Sequence, residues 1–406
     1  MSSVPQSTAG GLTTVSDKSA LKVTLGSLAL GFYAIWLAVD VRFATLFLIG
    51  AGLGFALYQG SFGFTGAWRR FVVHKRSRGI RAQMIMIGVA ALGMMPLIQA
   101  GSIGSQAIVG AIAPLGVSLV VGAAMFGFGM QLGGGCGSGT LFTVGGGSLR
   151  MLATLAFFIV GALIGTAHLP WWQAQPSLPP VSLAEMGLPG GLVLSLSLLA
   201  LVYFVSHAIE RKAHGDVETE PAPKRKGWSW LLVGPWPLIG AGLALSVLSI
   251  ATLLVAGHPW SVTYGFGLWG AKIALAVGIP VDEWAFWQVP FHADALRHSV
   301  LTNTVSVMNF GLILGAATAA ALAGSFAPKN AIPFRSLIAA ILGGLLMGYG
   351  ARLSFGCNIG ALFSGIASGS LHGWIWFALA FAGSCLGVAA RPFFGLDGYK
   401  SQKVSQ

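Results

Sequence analysis

Two cysteines, Cys136 and Cys357, sit in matching glycine-rich elements and are the side chains best placed to do chemistry. Residues 127–142 read GFGMQLGGGCGSGTLF and residues 348–363 read GYGARLSFGCNIGALF. They align without gaps as G-[FY]-G-x-x-L-x-x-G-C-x-x-G-x-L-F, and a Ser-Leu pair follows each, Ser148-Leu149 and Ser370-Leu371. An apolar chain matches a few glycines by chance, but not the cysteine, leucine and phenylalanine as well; the two halves are related. A lone buried thiol is usually a small hydrophobe with a weak S–H donor. Two thiols at one repeat position point instead to a single pathway lined from both sides. There a thiol can offer S–H to a polarizable anion without the desolvation of a second charge.

The elements around the cysteines must hold backbone in unusual places. Five of the seven residues in GGGCGSG are glycine, and each weakens an intact helix by about 1 kcal/mol relative to alanine. A helix through residues 122–131 is expected to break there. Such breaks are tolerated at membrane depth only where they are buried or line a cavity. Repeat transporters use paired broken helices around a midplane site, with helix N-termini facing anions. The expected site is Gly135, Cys136, Ser138 and Gly139 facing Gly356, Cys357, Asn358 and Gly360. The glycines would let backbone approach, and Ser138 and Asn358 would add polar contacts. The competing reading is that these glycines only pack helices.

Other chemically capable residues are less clearly placed. Arg352, within an apolar run five residues before Cys357, is open to two roles, anion attraction or snorkelling to the interface. Its repeat counterpart is the neutral Gln131. Lys272 has the same ambiguity. Cys385 lacks a repeat partner and lies between Gly383 and Gly387, which favours packing. His258, His292, His298 and His372 lack metal-ligand spacing and read as interfacial. No Ser/His/Asp set is clustered, and no lysine follows the GGG runs as a phosphate loop needs. No catalytic group, metal or cofactor is expected.

Composition sets the frame. Of 406 residues, 55% are hydrophobic and 8% charged, and mean hydropathy is +0.78. So few charges cannot cover a water-facing surface, so most of the outside faces lipid. The 59 glycines are about twice the usual share, and pairs such as Gly50 with Gly54 or Gly311 with Gly315 suit close helix packing. The net charge of +12 is no nucleic-acid signature, because the cations sit in short loops between apolar runs. Arg69, Arg70, Lys75, Arg76, Arg78 and Arg81 share one loop; Arg211, Lys212, Lys224, Arg225 and Lys226 share another. The positive-inside rule makes loops 69–81 and 209–227 cytoplasmic. Four apolar runs lie between them, the even number that this requires.

The expected fold is all-α and polytopic, with about 9–11 transmembrane helices plus broken or re-entrant half-helices. Apolar runs fall near 21–40, 43–58, 82–100, 106–130, 150–168 and 187–208, then near 229–256, 262–280, 300–324, 333–352 and 372–391. The domain reading is a disordered tail 1–20, a first repeat 21–208, a cytoplasmic linker 209–228, a second repeat 229–396 and a tail 397–406. Residues 281–298 mix tryptophans, charges and a proline. They read as interfacial, with Trp284 and Trp287 at headgroup depth.

The paired cysteine elements resemble those of the YeeE/YedE sulfur transport family. Residues 54–70, GFALYQGSFGFTGAWRR, resemble its first amphipathic segment, which usually reads G-F-x-x-x-R-G-R-F-C-x-T-x-x-x-R. The resemblance covers most of residues 45–390. It implies an inner-membrane permease for thiosulfate or a related sulfur anion, built from inverted halves, with pathway cysteines passing the anion. Cys136 and Cys357 match the family's motif cysteines. Gly63 stands where the family has its first cysteine, and Gln59 and Ser61 stand where it has arginines. That leaves a different sulfur or selenium species open. The partners implied are a small sulfur-containing anion, the lipid bilayer and a cytoplasmic sulfur-carrier protein, with no nucleic acid. A membrane thiol–disulfide carrier is the alternative from redox chemistry, although no C-x-x-C pair is present.

Overall fold

The computed structural model describes residues 18–220, 229–326 and 332–397. Residues 1–17 and 398–406 of the expected tails and 221–228 of the expected linker lie outside them. Among the described residues, ten helical spans are long and apolar enough to cross a membrane. Strand structure is confined to two-residue pairings in the loops.

The first half runs α1 (Lys18–Ala38), α2 (Val41–Gln59), α3 (Phe64–His74), α4 (Arg78–Ala100), α5 (Val117–Gly133), α6 (Gly137–Gly145), α7 (Leu149–Gln173) and α8 (Leu188–His214). The second runs α9 (Ser229–Val233), α10 (Leu238–Ala256), α11 (Thr263–Ala276), α12 (Ala285–Gln288), α13 (Pro290–Arg297), α14 (Thr304–Leu322) and α15 (Phe334–Leu353). A π-helical turn, Asn358–Phe363, then leads into α16 (Ser364–Ala367) and α17 (Leu371–Ala390). The apolar run expected to be helical from residue 106 starts its helix only at Val117. Gly110, Pro114 and Gly116 interrupt it, and it crosses the surface as a loop.

Glycine contacts fix how the halves meet. Gly122 lies against Gly350 and Leu353, Gly129 against Leu346, and Gly133 against Gly343. As α5 ascends, its partner on α15 descends, so these repeat-related helices cross antiparallel. The halves are inverted. The inversion also exchanges two parallel contacts, α2 with α14 and α10 with α4. Gly54 rests on Leu312 and Gly315 on Ala51, while Gly93 rests on Ile250 and Gly242 on Met86. Missing side chains make these approaches possible: a Cβ on Gly54, Gly127 or Gly315 would overlap a backbone carbonyl of the facing helix.

The two basic segments come together on one face. Glu210, wholly buried, accepts from Ser77 N at 3.0 Å and Ser77 Oγ at 2.6 Å, and pairs with Arg76 at 3.3 Å and Arg81 at 3.5 Å. Glu218 pairs with Arg70 at 2.9 Å and Arg78 at 3.0 Å. Residues 209–214 continue α8, and residues 216–220 are tied down on the 75–81 loop. We call this the basic-loop face. On the opposite face, α12 and α13 lie over α7 and α11. Trp287, expected at headgroup depth, is instead buried and donates to Thr166 Oγ1 at 3.1 Å. Its segment packs inward because Phe286 and Leu296 share a core with Leu169 and Leu268.

Two outcomes test these contacts by thermal unfolding in detergent. Gly54→Val or Gly315→Val is expected to destabilise by several kcal/mol, roughly the overpacking penalty at a rigid backbone contact, while Gly26→Val, which meets open space, changes little. Glu210→Ala strands buried cations and is expected to cost about 3 kcal/mol, seen as a lowered midpoint.

Candidate functional site

Each cysteine is an N-cap. Cys136 precedes α6, and its sulfur accepts from Gly139 N at 3.4 Å and lies 3.6 Å from Ser138 Oγ. Cys357 precedes the π-helical turn, and its sulfur accepts from Ile359 N at 3.4 Å. Both thiols are free and buried. The chain folds this way because Gly134–Gly135 and Phe355–Gly356 reverse it: Gly134 sits at φ 91° and Gly356 at φ 152°, a value essentially reserved for glycine. The first helical turn of each element then starts in the middle of the protein, with unpaired N–H groups and the positive end of its dipole.

The two elements meet. A Cβ built on Gly137 would lie 3.0 Å from Cys357 Sγ, 3.4 Å from Thr263 Cγ2 and 3.5 Å from Val262 Cγ1. The expected residues are therefore brought together from both halves. Gly135 and Gly356 are held tightly, each against the next turn of its own element, so a side chain at either would meet backbone. Gly139 and Gly360 differ: beyond Cys136 Sγ at 3.4 Å and Ser261 Oγ at 3.6 Å respectively, their Cβ positions are nearly open. The space at Gly139 lies beside the Cys136 sulfur, and that at Gly360 beside the Ser261 hydroxyl. Asn358, the counterpart of Gly137, is buried with both amide atoms unpartnered.

Two further helix N-termini point inward, and the sequence reading missed them. They belong to α3, capped by Gly63, and α11, which starts at Thr263. A pseudo-symmetric pair of hydrogen bonds ties them to the repeat. Gln131 Nε2 donates to Thr65 O at 3.2 Å, and its counterpart Arg352 Nη2 donates to Thr263 O at 3.4 Å. The only sequence signal was a threonine at matching places in QGSFGFT and HPWSVT.

Arg352 does not snorkel into open solvent. It is half-buried, with its guanidinium 5.7 Å from the Tyr264 ring and 5.3 Å from the Phe286 ring, and its Nε buried without a partner. Among the described residues, no carboxylate forms an ion pair with it. Lys272 is occupied elsewhere, donating to Leu296 O at 2.8 Å and His298 O at 2.6 Å, which fastens the end of α13. His372, expected at the interface, is buried and lies 2.6 Å from Ser370 Oγ, because it sits in the first turn of α17 under the 174–187 loop. Cys385 is half-exposed on the side of α17 towards Lys75, apart from the other two cysteines.

Gly63 lines a cavity of about 370 Å³ that opens between the basic loops, with Gly60, Gly66, Arg70, Arg78 and Trp236. Its Cβ position meets nothing within 4 Å. Among the described residues, no group of three or more His, Cys, Asp or Glu could hold a metal ion.

Known proteins resemble this chain in sequence. The thiosulfate transporter TsuA of Escherichia coli (strain K12) is 28% identical over 334 residues, covering 81% of this chain and 88% of its own. The thiosulfate transporter TsuA of Spirochaeta thermophila is 26% identical over 342 residues, covering 81% and 92%. The probable transporter YedE of Escherichia coli (strain K12) is 35% identical over 180 residues, and that match spans only 43% of its length. Residues 59–386 match a family described as sulphur transport, well over half of the chain. With ten apolar helical spans among the described residues and this match, the chain belongs to the sulphur transport family.

Proposed function

We propose that this protein is an inner-membrane permease for a small sulfur-containing anion such as thiosulfate. The anion would pass between the two faces through the point where the half-helices meet. The observation that carries the reading is that both cysteines cap inward-facing helix N-termini, with Cys357 Sγ against Gly137. Four N-terminal dipole ends supply positive potential without a buried fixed charge. The thiols and the Ser138 and Asn358 side chains supply neutral donors, and Gly139 and Gly360 leave room for substrate beside the Cys136 sulfur and the Ser261 hydroxyl. Arg352 is the fixed cation on one approach. Its unpartnered Nε and lack of an acidic partner favour anion attraction.

By the positive-inside rule the basic-loop face is cytoplasmic, so Arg352 faces the outside. The cavity at Gly63 then serves as the inner vestibule, where a soluble sulfur carrier can take the product. The names of the TsuA relatives favour thiosulfate. The side-chain-free position 63 keeps other sulfur or selenium anions as alternatives. The closeness of Cys357 to the neighbour of Cys136 favours one second reading, a redox carrier cycling a Cys136–Cys357 disulfide. Peptide mass analysis under oxidant decides it, since a carrier must form that bridge reversibly.

Sulfur-dependent growth tests the permease. In a bacterium lacking its own sulfate and thiosulfate uptake, the unaltered chain is expected to support growth on thiosulfate. Cys136→Ala and Cys357→Ala, at equal membrane expression, are expected to abolish it; undiminished growth of the double variant would remove the cysteine role. Arg352→Gln is expected to raise the half-saturating concentration roughly tenfold, the scale of one charge-assisted contact, with maximal flux less affected. An unchanged half-saturating concentration would relegate Arg352 to packing.

A further inference from the structure

We propose that Phe355 is the gate on the face opposite the basic loops, controlling access to Cys357. In the repeat, Phe355 occupies the position of Gly134. Gly134 has no side chain, and the place a Cβ there would take is filled by Arg150 Nη1, 2.6 Å away, so the two breaks are flanked by different groups at this position. Phe355 adopts the same left-handed region, at φ 61°. An aromatic residue is strained there and a glycine is not. Such strain persists only where surrounding structure enforces it, and it gathers at functional sites.

The surroundings that enforce it are visible. The Phe355 ring packs on the main core and stands edge-on to His372, with centroids 6.5 Å apart and planes at 87°. His372 lies 2.6 Å from Ser370 Oγ, and Ser370 bridges to Ser182 in the loop cluster of the opposite face. Phe355 itself is half-buried, while Cys357 two residues further on is wholly buried. A half-buried aromatic residue in the left-handed region thus stands two residues before an inaccessible thiol. The two states follow from opposing terms. Ring packing favours closure, and release of the left-handed backbone into the extended region favours opening and swings the ring away.

The gate rests on the proposed pathway for its purpose, but its test reads access rather than uptake. Vesicles of both orientations are treated with a membrane-impermeant methanethiosulfonate, and modification at Cys136, Cys357 and Cys385 is resolved by peptide mass. Phe355→Gly removes ring and strain together. Modification of Cys357 from the opposite face is expected to rise roughly tenfold, as for an opened gate, while Phe355→Leu, which keeps bulk, stays near the unaltered rate. An unchanged Cys357 rate in Phe355→Gly, at an unchanged thermal midpoint, overturns the gate. Should that variant not fold, Phe355→Ala is judged on the same terms. A chain that fails to support growth on thiosulfate but shows the labelling change keeps the gate and loses only the substrate.

Discussion

A broken helix at membrane depth has to satisfy its own backbone, and the rest of this structure follows from how the two breaks do so. Unpaired peptide groups cannot be left facing lipid. The carbonyl ends are satisfied from within. Arg150 donates to Leu132 O at 2.6 Å and to Gly133 O at 2.5 Å, and Arg391 donates to Gln131 O at 2.5 Å, closing the end of α5. The end of α15 is closed by Ser354, whose amide and hydroxyl both donate to Gly350 O, at 2.9 and 2.7 Å. The N–H ends are treated differently. One amide of each element reaches a sulfur, a weak acceptor, at the long distance of 3.4 Å. The protein neutralises its carbonyl ends and gives its amide ends only long contacts to sulfur, the arrangement that the proposed anion pathway draws on.

Inversion of the halves doubles this frame, but the side chains hung on it are not equivalent. Gln131 and Arg352 make the same hydrogen bond to α3 and α11, and only one carries a charge. Gly134 and Phe355 share a backbone conformation, and only one carries a ring. Gly137 and Asn358 stand at one position, and only one brings an amide. Each difference adds a feature to the approach opposite the basic loops. The near-symmetric backbone therefore frames the proposed site, while the departures from symmetry make its two sides unlike.

Much of this was legible in the sequence because the repeat is. A shared Cys, Leu and Phe in fixed register located the breaks, and the shortage of charge located the spans. Less legible was whatever depended on tertiary partners. The N-termini of α3 and α11 escaped notice because their leading loops differ in length and share little beyond Thr65 and Thr263. Trp287 read as interfacial because charges and a proline surround it, and His372 because it lies near a loop, yet α7 buries the one and the 174–187 loop the other. The inversion could not be read from scattered cations such as Lys272 and Arg335; it became plain only when Gly122 met Gly350 and Gly133 met Gly343.

The polar atoms left unpartnered carry the same logic into energetics. Both amide atoms of Asn358, Nε of Arg352, Oε1 of Gln131 and Oγ1 of Thr65 are buried without a hydrogen-bond partner among the described residues. Each such group costs on the order of 1–3 kcal/mol, and most buried polar atoms in proteins avoid it. Others, such as Oγ of Ser195 and of Ser249, lie elsewhere in the bundle, but these four residues belong to the breaks and their supports. Asn358 adjoins Cys357, and Gln131, Thr65 and Arg352 hold the hydrogen bonds that fix α3 and α11. A bundle selected for packing alone would gain by replacing them with apolar residues of similar volume. A bundle that passes a polar solute needs donors that release one partner before meeting the next, so unsatisfied groups along the way lower the barrier to movement instead of trapping the solute at one station.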